Sequence, residues 1–246
     1  MDALTTAAAT GLRAKMESLE MLANNLANAD TVGYKIDREF YSLYVSAEAQ
    51  DPLAPAGSAS TLPVIERHWT DFSSGTMRTT ANPLDLAISG RGFFAVNGPA
   101  GTLYTRNGSF KLSPAGILTT GEGHAVRMVG GGPLQTASSS PLKISVDGTI
   151  SQDAGVLGQL EIFDFKDLSM LTKQGAGYFN ASAGAVPAAA TGEVRQGRLE
   201  GSNGVSAEGA VRLVNVMRQF EMLQKALVLG GEMNRKAVEE VARVGS

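Results

Sequence analysis

The sequence predicts an α+β protein whose N- and C-terminal helices pack together as a coiled-coil-like stem, with a central, mostly antiparallel all-β domain. Three observations predict it. Near the start, Leu12, Leu19 and Leu26 recur every seven residues, with Met16 and Ala23 four residues after the first two. Near the end, Leu213, Val216, Phe220, Leu223 and Leu227 step by 3, 4, 3 and 4. Between them lie short apolar runs divided by Asn-Gly, Asp-Gly, Gly-Gly and Pro, with no helical period.

The first helix is expected over residues 1–28. Its leucines form a narrow seam rather than a broad globular face. Residues 46–63, SAEAQDPLAPAGSASTLP, carry no apolar period and read as an exposed linker or arm. In the middle, Leu103–Arg106 and Ser109–Leu112 flank Asn107-Gly108, and Ile144–Val146 and Thr149–Ser151 flank Asp147-Gly148. Both pairs read as hairpins with tight turns. Phe93–Val96, Ala125–Val129 and Leu160–Phe165 are further strands, and residues 181–192 read as a second linker. The last helix is expected over 205–244, with a bend or register change at Gly230-Gly231, after which Ala237, Val241 and Val244 resume the stripe in a shifted phase.

Isolated helices of this length are marginal in water, so each apolar stripe needs a cover. Either the two chain ends pair or each packs on the central domain, and the narrowness of both seams favours pairing. The expected division is 1–33 for an N-terminal helix of an axial core, 34–82 for an extended connector, 83–204 for the β domain and 205–246 for the C-terminal helix.

Composition excludes several classes. The formal net charge is −3 over 246 residues, which offers no basic footprint for nucleic acid. The absence of Cys removes disulfides, thiolate catalysis and Cys-based zinc sites. Asp2 stands where a secretory signal carries positive charge, so no cleaved signal is expected, and no run approaches the length of a membrane span.

Catalytic patterns are scarce. His68 and His124 stand in no metal-binding spacing, and neither a G-x-S-x-G elbow nor a phosphate loop is present. Gly90-Arg91-Gly92 leads into the apolar run Phe93–Val96, a strand, so no helix N-terminus is offered to a pyrophosphate. Glu161 and Asp164 could form a carboxylate pair, but on a strand three residues put them on opposite faces. No cofactor is expected.

The exit of the first helix stands out: ANNLANADTVGYK at 23–35. Asn24, Asn25 and Asn28 fall within five residues, although Asn is mildly unfavourable inside a helix. One reading is a fraying helix end, with Asn28 and Asp30 in the turn and Gly33 relaxing it. The other is inter-subunit amide hydrogen bonds that fix register.

This motif resembles the N-terminal signature of the flagellar axial family, the rod and hook proteins of the bacterial flagellum. PLDLAISGRGFFAV at 83–96 and YTRNGSF at 104–110 are similar to its central signature. GRLEGSN at 197–203, followed by MRQFEM at 217–222, is similar to its C-terminal signature. The short length suits a rod protein, and MRQFEMLQKAL resembles the proximal-rod branch more than the distal one. The resemblance implies a subunit exported unfolded through the flagellar type III apparatus. It implies polymerisation with itself and other rod proteins into a torque-transmitting shaft that crosses the periplasm, without membrane insertion. Leu12, Met16, Leu19, Asn24, Asn25, Leu26, Asn28, Leu213, Val216, Phe220, Leu223 and Leu227 would then form subunit interfaces. A distal-rod subunit, a cell-wall hydrolase using Asp164 or Glu161, and a secreted adhesin are the competing readings.

Overall fold

The computed structural model describes residues 3–45, 61–136, 140–153, 155–175 and 177–244. The chain divides into two units, of residues 1–27, 37–69 and 206–246, and of residues 28–36 and 70–205.

The first unit holds helix α1 (Ala3–Ala27), strands β1 (Asp37–Val45) and β2 (Thr61–Thr70), and helix α2 (Ser206–Val244). α1 is rich in Ala and Leu, residues that lose little side-chain freedom in a helix. α2 places Glu208 in its first turn and Arg243 in its last, both favourable to the helix dipole. It runs unbroken through Gly230-Gly231, where the sequence predicts a bend or register change. Two glycines weaken a helix by about 1 kcal/mol each, too little to end one of this length.

α1 and α2 pack against each other. α2 turns the predicted stripe toward the interior: Val216 is buried, while Leu213, Phe220, Leu223 and Leu227 are half-buried. α1 departs from expectation. Its buried face is Ala14, Ser18 and Leu22, whereas Leu12, Leu19 and Leu26 are half-buried and Met16 is 51% exposed. At 100° per residue the leucine stripe lies about a third of a turn away from the buried face. Two elements cover α1, since α2 meets it at Gly11 and β1 meets it at Ser18 through Glu39, and the face they bury is not the leucine stripe. A Cβ on Gly11 would already stand 3.6 Å from Leu223 Cδ1.

β1 and β2 form a two-stranded sheet. Residues 46–60 of the predicted linker lie outside the described residues, and 61–63 belong to β2 rather than to a linker. Every strand of a two-stranded sheet is an edge, so Pro63 is tolerated there.

The second unit is β-rich. Its strands are β3 (Met77–Thr79), β4 (Leu86–Ser89), β5 (Phe93–Gly98), β6 (Gly101–Thr105), β7 (Lys111–Leu112), β8 (Leu118–Thr119), β9 (Ala125–Val126), β10 (Lys143–Ile144), β11 (Thr149–Gln152), β12 (Gly155–Gln159), β13 (Ile162–Phe165), β14 (Leu171–Gln174), β15 (Tyr178–Ala181), β16 (Pro187–Ala189), β17 (Glu193–Gln196) and β18 (Arg198–Glu200). The largest sheet runs β14-β15-β6-β5-β9-β8-β7, with β13 pairing β5 and β16. β10-β11-β12, β17-β4 and β18-β3 form smaller sheets. The registered pairings are antiparallel.

β5 explains why the centre reads as continuous apolar sequence. Phe94 and Val96 point into one core with Leu86, Phe110, Leu118, Ile150 and Val194. Phe93 and Ala95 point into another with Tyr104, Phe165, Leu171 and Phe179. A strand buried on both faces loses its polar alternation. Edge-to-face ring pairs add to both cores, Phe94–Phe110 at 5.2 Å and Phe93–Phe179 at 5.7 Å.

One predicted hairpin forms. β10 and β11 pair across Ser145–Gly148, where Gly148 N donates to Ser145 O at 2.9 Å. The hairpin expected at Asn107-Gly108 does not form, because β5 and β15 already occupy both edges of β6. Asn107-Gly108 instead turns the chain against β4: Leu86 N donates to Gly108 O at 3.0 Å, and a Cβ on Gly108 would stand 1.7 Å from Leu86 O. The second predicted linker, 181–192, is also corrected, since β16 within it pairs with β13 from Phe163↔Ala189 to Phe165↔Pro187.

Candidate assembly surfaces and the buried ion cluster

The residues weighed for chemistry are dispersed. His68 is exposed, and His124 is half-buried with its ring 5.3 Å from that of Tyr178. Among the described residues, no group of three or more His, Asp or Glu is placed to hold a metal ion. No described helix is long and apolar enough to cross a membrane. Glu161 pairs with Arg127 at 2.6 Å and Asp164 with Arg91 at 3.0 Å, so each carboxylate has its own guanidinium. Gly90-Arg91-Gly92 leads directly into β5.

The polar chemistry of the second unit is concentrated in a buried cluster that sequence reasoning did not single out. Glu200, at the end of β18, is fully buried. Its Oε1 accepts from Lys35 Nζ at 2.7 Å and from Gly75 N at 2.9 Å. Its Oε2 accepts from Arg106 Nη1 at 3.1 Å. Lys35 also donates to Ser73 O at 2.7 Å, and Arg106 to Ile88 O and Gly90 O. Burial pushes the Lys35 ammonium below its usual pKa, and the attraction of Glu200 opposes that shift without cancelling it. The Arg106 guanidinium is lowered by burial in the same way.

Backbone and amide bonds surround the cluster. Gly33 N donates to Glu200 O at 2.8 Å. Asn203 Oδ1 accepts from Ile36 N at 2.9 Å, and its Nδ2 donates to Asp71 O at 2.7 Å. Lys173 donates to Lys35 O at 2.7 Å and stands 4.3 Å from the centroid of the Tyr34 ring. Three motifs far apart in the sequence therefore meet: GYK at 33–35, YTRNGSF at 104–110 and GRLEGSN at 197–203. The available signal was a charge lodged in each otherwise apolar or turn-forming motif. A buried charge is almost always paired.

Gly33 shows why the first motif takes its form. Its φ is +69°, and a Cβ there would stand 2.4 Å from Arg106 C and Asn107 N. No other residue type fits that left-handed, crowded position without strain.

The three asparagines have different placements. Asn25 uses both ends of its amide on β1: Nδ2 donates to Asp37 O at 2.7 Å, and Oδ1 accepts from Asp37 N at 3.0 Å. Asn28 closes the helix exit, its O accepting from Thr31 N at 3.1 Å and its Oδ1 from Thr31 Oγ1 at 3.2 Å. Asn24 lies exposed on α1.

The first unit carries uncovered apolar surface. On α2, away from the α1-facing stripe, Val211, Met217, Met222, Val228, Leu229 and Met233 are 47–71% exposed. A helix apolar on opposite faces is unusual at a free surface, and large apolar patches mark interaction sites.

Terminal helices with uncovered apolar faces, together with a β-rich unit clasped by its own motifs, define an α+β structural subunit. Comparison with known proteins makes this specific. Residues 6–35 match the family model described as flagella basal body rod protein, and residues 87–153 match the flagellar hook protein FlgE/F/G D1 domain. The flagellar basal-body rod protein FlgF of Caulobacter vibrioides is 32% identical over 230 residues, covering 92% of each chain. FlgF of Mesorhizobium japonicum is 32% identical over 82% of this chain and 83% of its own. The rod protein FlgG of Bacillus subtilis is 29% identical over 93% and 95%. The chain belongs to the flagellar basal-body rod protein family. It is a structural component of the basal body and not an enzyme, and the FlgG type is not favoured over the FlgF type.

Proposed function

We propose that this chain is a proximal-rod subunit that polymerises helically, through its terminal helices, into the part of the drive shaft that passes torque toward the hook. The division into 1–33, 34–82, 83–204 and 205–246 separates an axial core at both chain ends from a connector and a β domain. Copies of the chain and other rod proteins are its neighbours, and the type III export apparatus delivers it unfolded. The helix pair then behaves as a coiled-coil-like stem.

The observation that carries this reading is the uncovered apolar face of α2, with Met16 and the half-buried Leu12, Leu19 and Leu26 on α1. Covering one large apolar side chain contributes about 1.5–3 kcal/mol, so several per subunit supply a strong drive to stack. A head-to-tail contact that does not close on itself yields a filament. Asn24 adds an exposed amide to the same helix, while the amide of Asn25 serves β1 of its own chain. Leu213, Val216, Phe220, Leu223 and Leu227 act by holding α2 against α1, which orients the uncovered face.

The test separates the two faces. Met222→Asp with Leu229→Asp changes only exposed positions, so the purified subunit keeps its helix content. In cells carrying this variant as the sole copy, isolated basal bodies are expected to lack the subunit. Normal incorporation of the variant overturns the proposal.

A further inference from the structure

Within the first unit, one carboxylate joins three elements. Glu39 of β1 has a side chain only 1% exposed. Its Oε2 accepts from Ser18 Oγ of α1 at 2.5 Å, and its Oε1 accepts from Arg212 Nη2 of α2 at 2.9 Å. Ser18 is fully buried on the same face of α1 as Ala14 and Leu22, and the Arg212 side chain is 45% exposed.

The stripe that α2 brings to that pairing, Leu213, Val216, Phe220, Leu223 and Leu227, is apolar and periodic. Sliding α2 by one turn, about 5.4 Å, exchanges one apolar neighbour for another and changes the energy little. Glu39 does not tolerate such a slide. It moves with α1, because Asn25 holds the start of β1 through both polar groups of Asp37. A one-turn shift would carry Arg212 out of hydrogen-bond reach and leave a buried carboxylate without its cation, a costly state.

We propose that the Ser18–Glu39–Arg212 bonds are the register lock of the helix pair, with Glu39 the positioning residue that sets α2 axially against α1 for assembly. The consequence for assembly rests on the polymerisation reading above; the lock itself does not. A polar set within an apolar seam is a device by which paired helices choose one alignment among several of similar packing energy.

The chain has no Cys, so introduced thiols report cleanly. Gly11→Cys with Leu223→Cys marks the observed register, since these positions are neighbours across the helix pair. Gly11→Cys with Gln219→Cys, or with Leu227→Cys, marks a shift of one turn. With Glu39 and Arg212 intact, a short thiol crosslinker is expected to favour the 11–223 pair. Glu39→Leu or Arg212→Leu is expected to lower that preference about tenfold, equivalent to about 1.4 kcal/mol. The exchange Glu39→Arg with Arg212→Glu is expected to restore it, which a loss of packing alone would not allow. An unchanged preference in Arg212→Leu overturns the lock. If Glu39→Leu loses helix content, Arg212→Leu, at a part-exposed position, decides in its place. Incorporation of the same variants into basal bodies separates the two ideas: a lost preference with normal incorporation keeps the lock and refutes assembly through the helix pair.

Discussion

Replacing Glu200 with Ala tests the buried cluster most severely. The substitution removes the acceptor of three hydrogen bonds, from Lys35 Nζ, Arg106 Nη1 and Gly75 N. Lys35 is fully buried and the Arg106 side chain is 4% exposed, so neither cation can recover its lost partner from bulk water. Breaking a buried ion pair on one side costs about 3–5 kcal/mol, because the desolvated charge that remains is uncompensated. With a urea dependence of about 2–3 kcal/mol/M, the midpoint of the β-rich unit should fall by about 1–2.5 M. Urea titration of the full chain followed by circular dichroism of its β signal measures this. A second variant isolates the cause. Lys35→Met, Arg106→Met and Glu200→Leu together remove every charge while keeping volume, and should recover most of the loss. A midpoint within about 0.3 M of the parent for Glu200→Ala would refute the view that the cluster fastens the motifs together. The alkaline behaviour of Lys35 follows the same logic. Its lowered pKa means that the folded state releases a proton before the unfolded chain does. Its contribution therefore makes the fold more stable as pH rises toward 10.5, the ordinary value.

Two further outcomes are expected. Burial raises the Tyr104 and Tyr178 phenols above their usual 10.0, so the folded chain keeps protons that the unfolded chain loses. The stability from these two groups is complete below pH 10 and is lost as pH rises through their raised values, and ultraviolet phenolate titration should show both ionising late. Gly33→Ala forces a side chain into a left-handed, crowded position and should cost about 1–3 kcal/mol in a thermal melt. Gly121→Ala, where a Cβ meets open space, should be nearly neutral and serves as the control.

The readable parts of the sequence were those governed by local period. α2 begins and ends within a residue of its predicted bounds, because a 3-4 apolar spacing has no stable alternative to a helix. β5 and the Asp147-Gly148 hairpin were legible for the same reason, as apolar runs bounded by turn residues. Asn107-Gly108 misled because an Asn-Gly pair reports only a sharp turn. Whether the flanking segments pair depends on which other strands claim their edges, and β15, more than seventy residues downstream, claims that of β6. The α1 stripe misled differently: leucine spacing identifies an apolar face, but which face is buried depends on the elements that cover the helix, here α2 at Gly11 and β1 at Ser18.

Helical ends, a β-rich middle, the lack of a catalytic pattern and the family signatures were all written in local residue order, since propensity, period and turn chemistry act over a few residues. The clasp of Lys35, Arg106 and Glu200, and the meeting of Ser18, Glu39 and Arg212, came only with the folded chain. Their partners lie up to 173 residues apart, as for Glu39 and Arg212. No local rule joins charges at such separations. They pair because folding removes water around them, and a desolvated charge requires a counterpart wherever the chain has carried one.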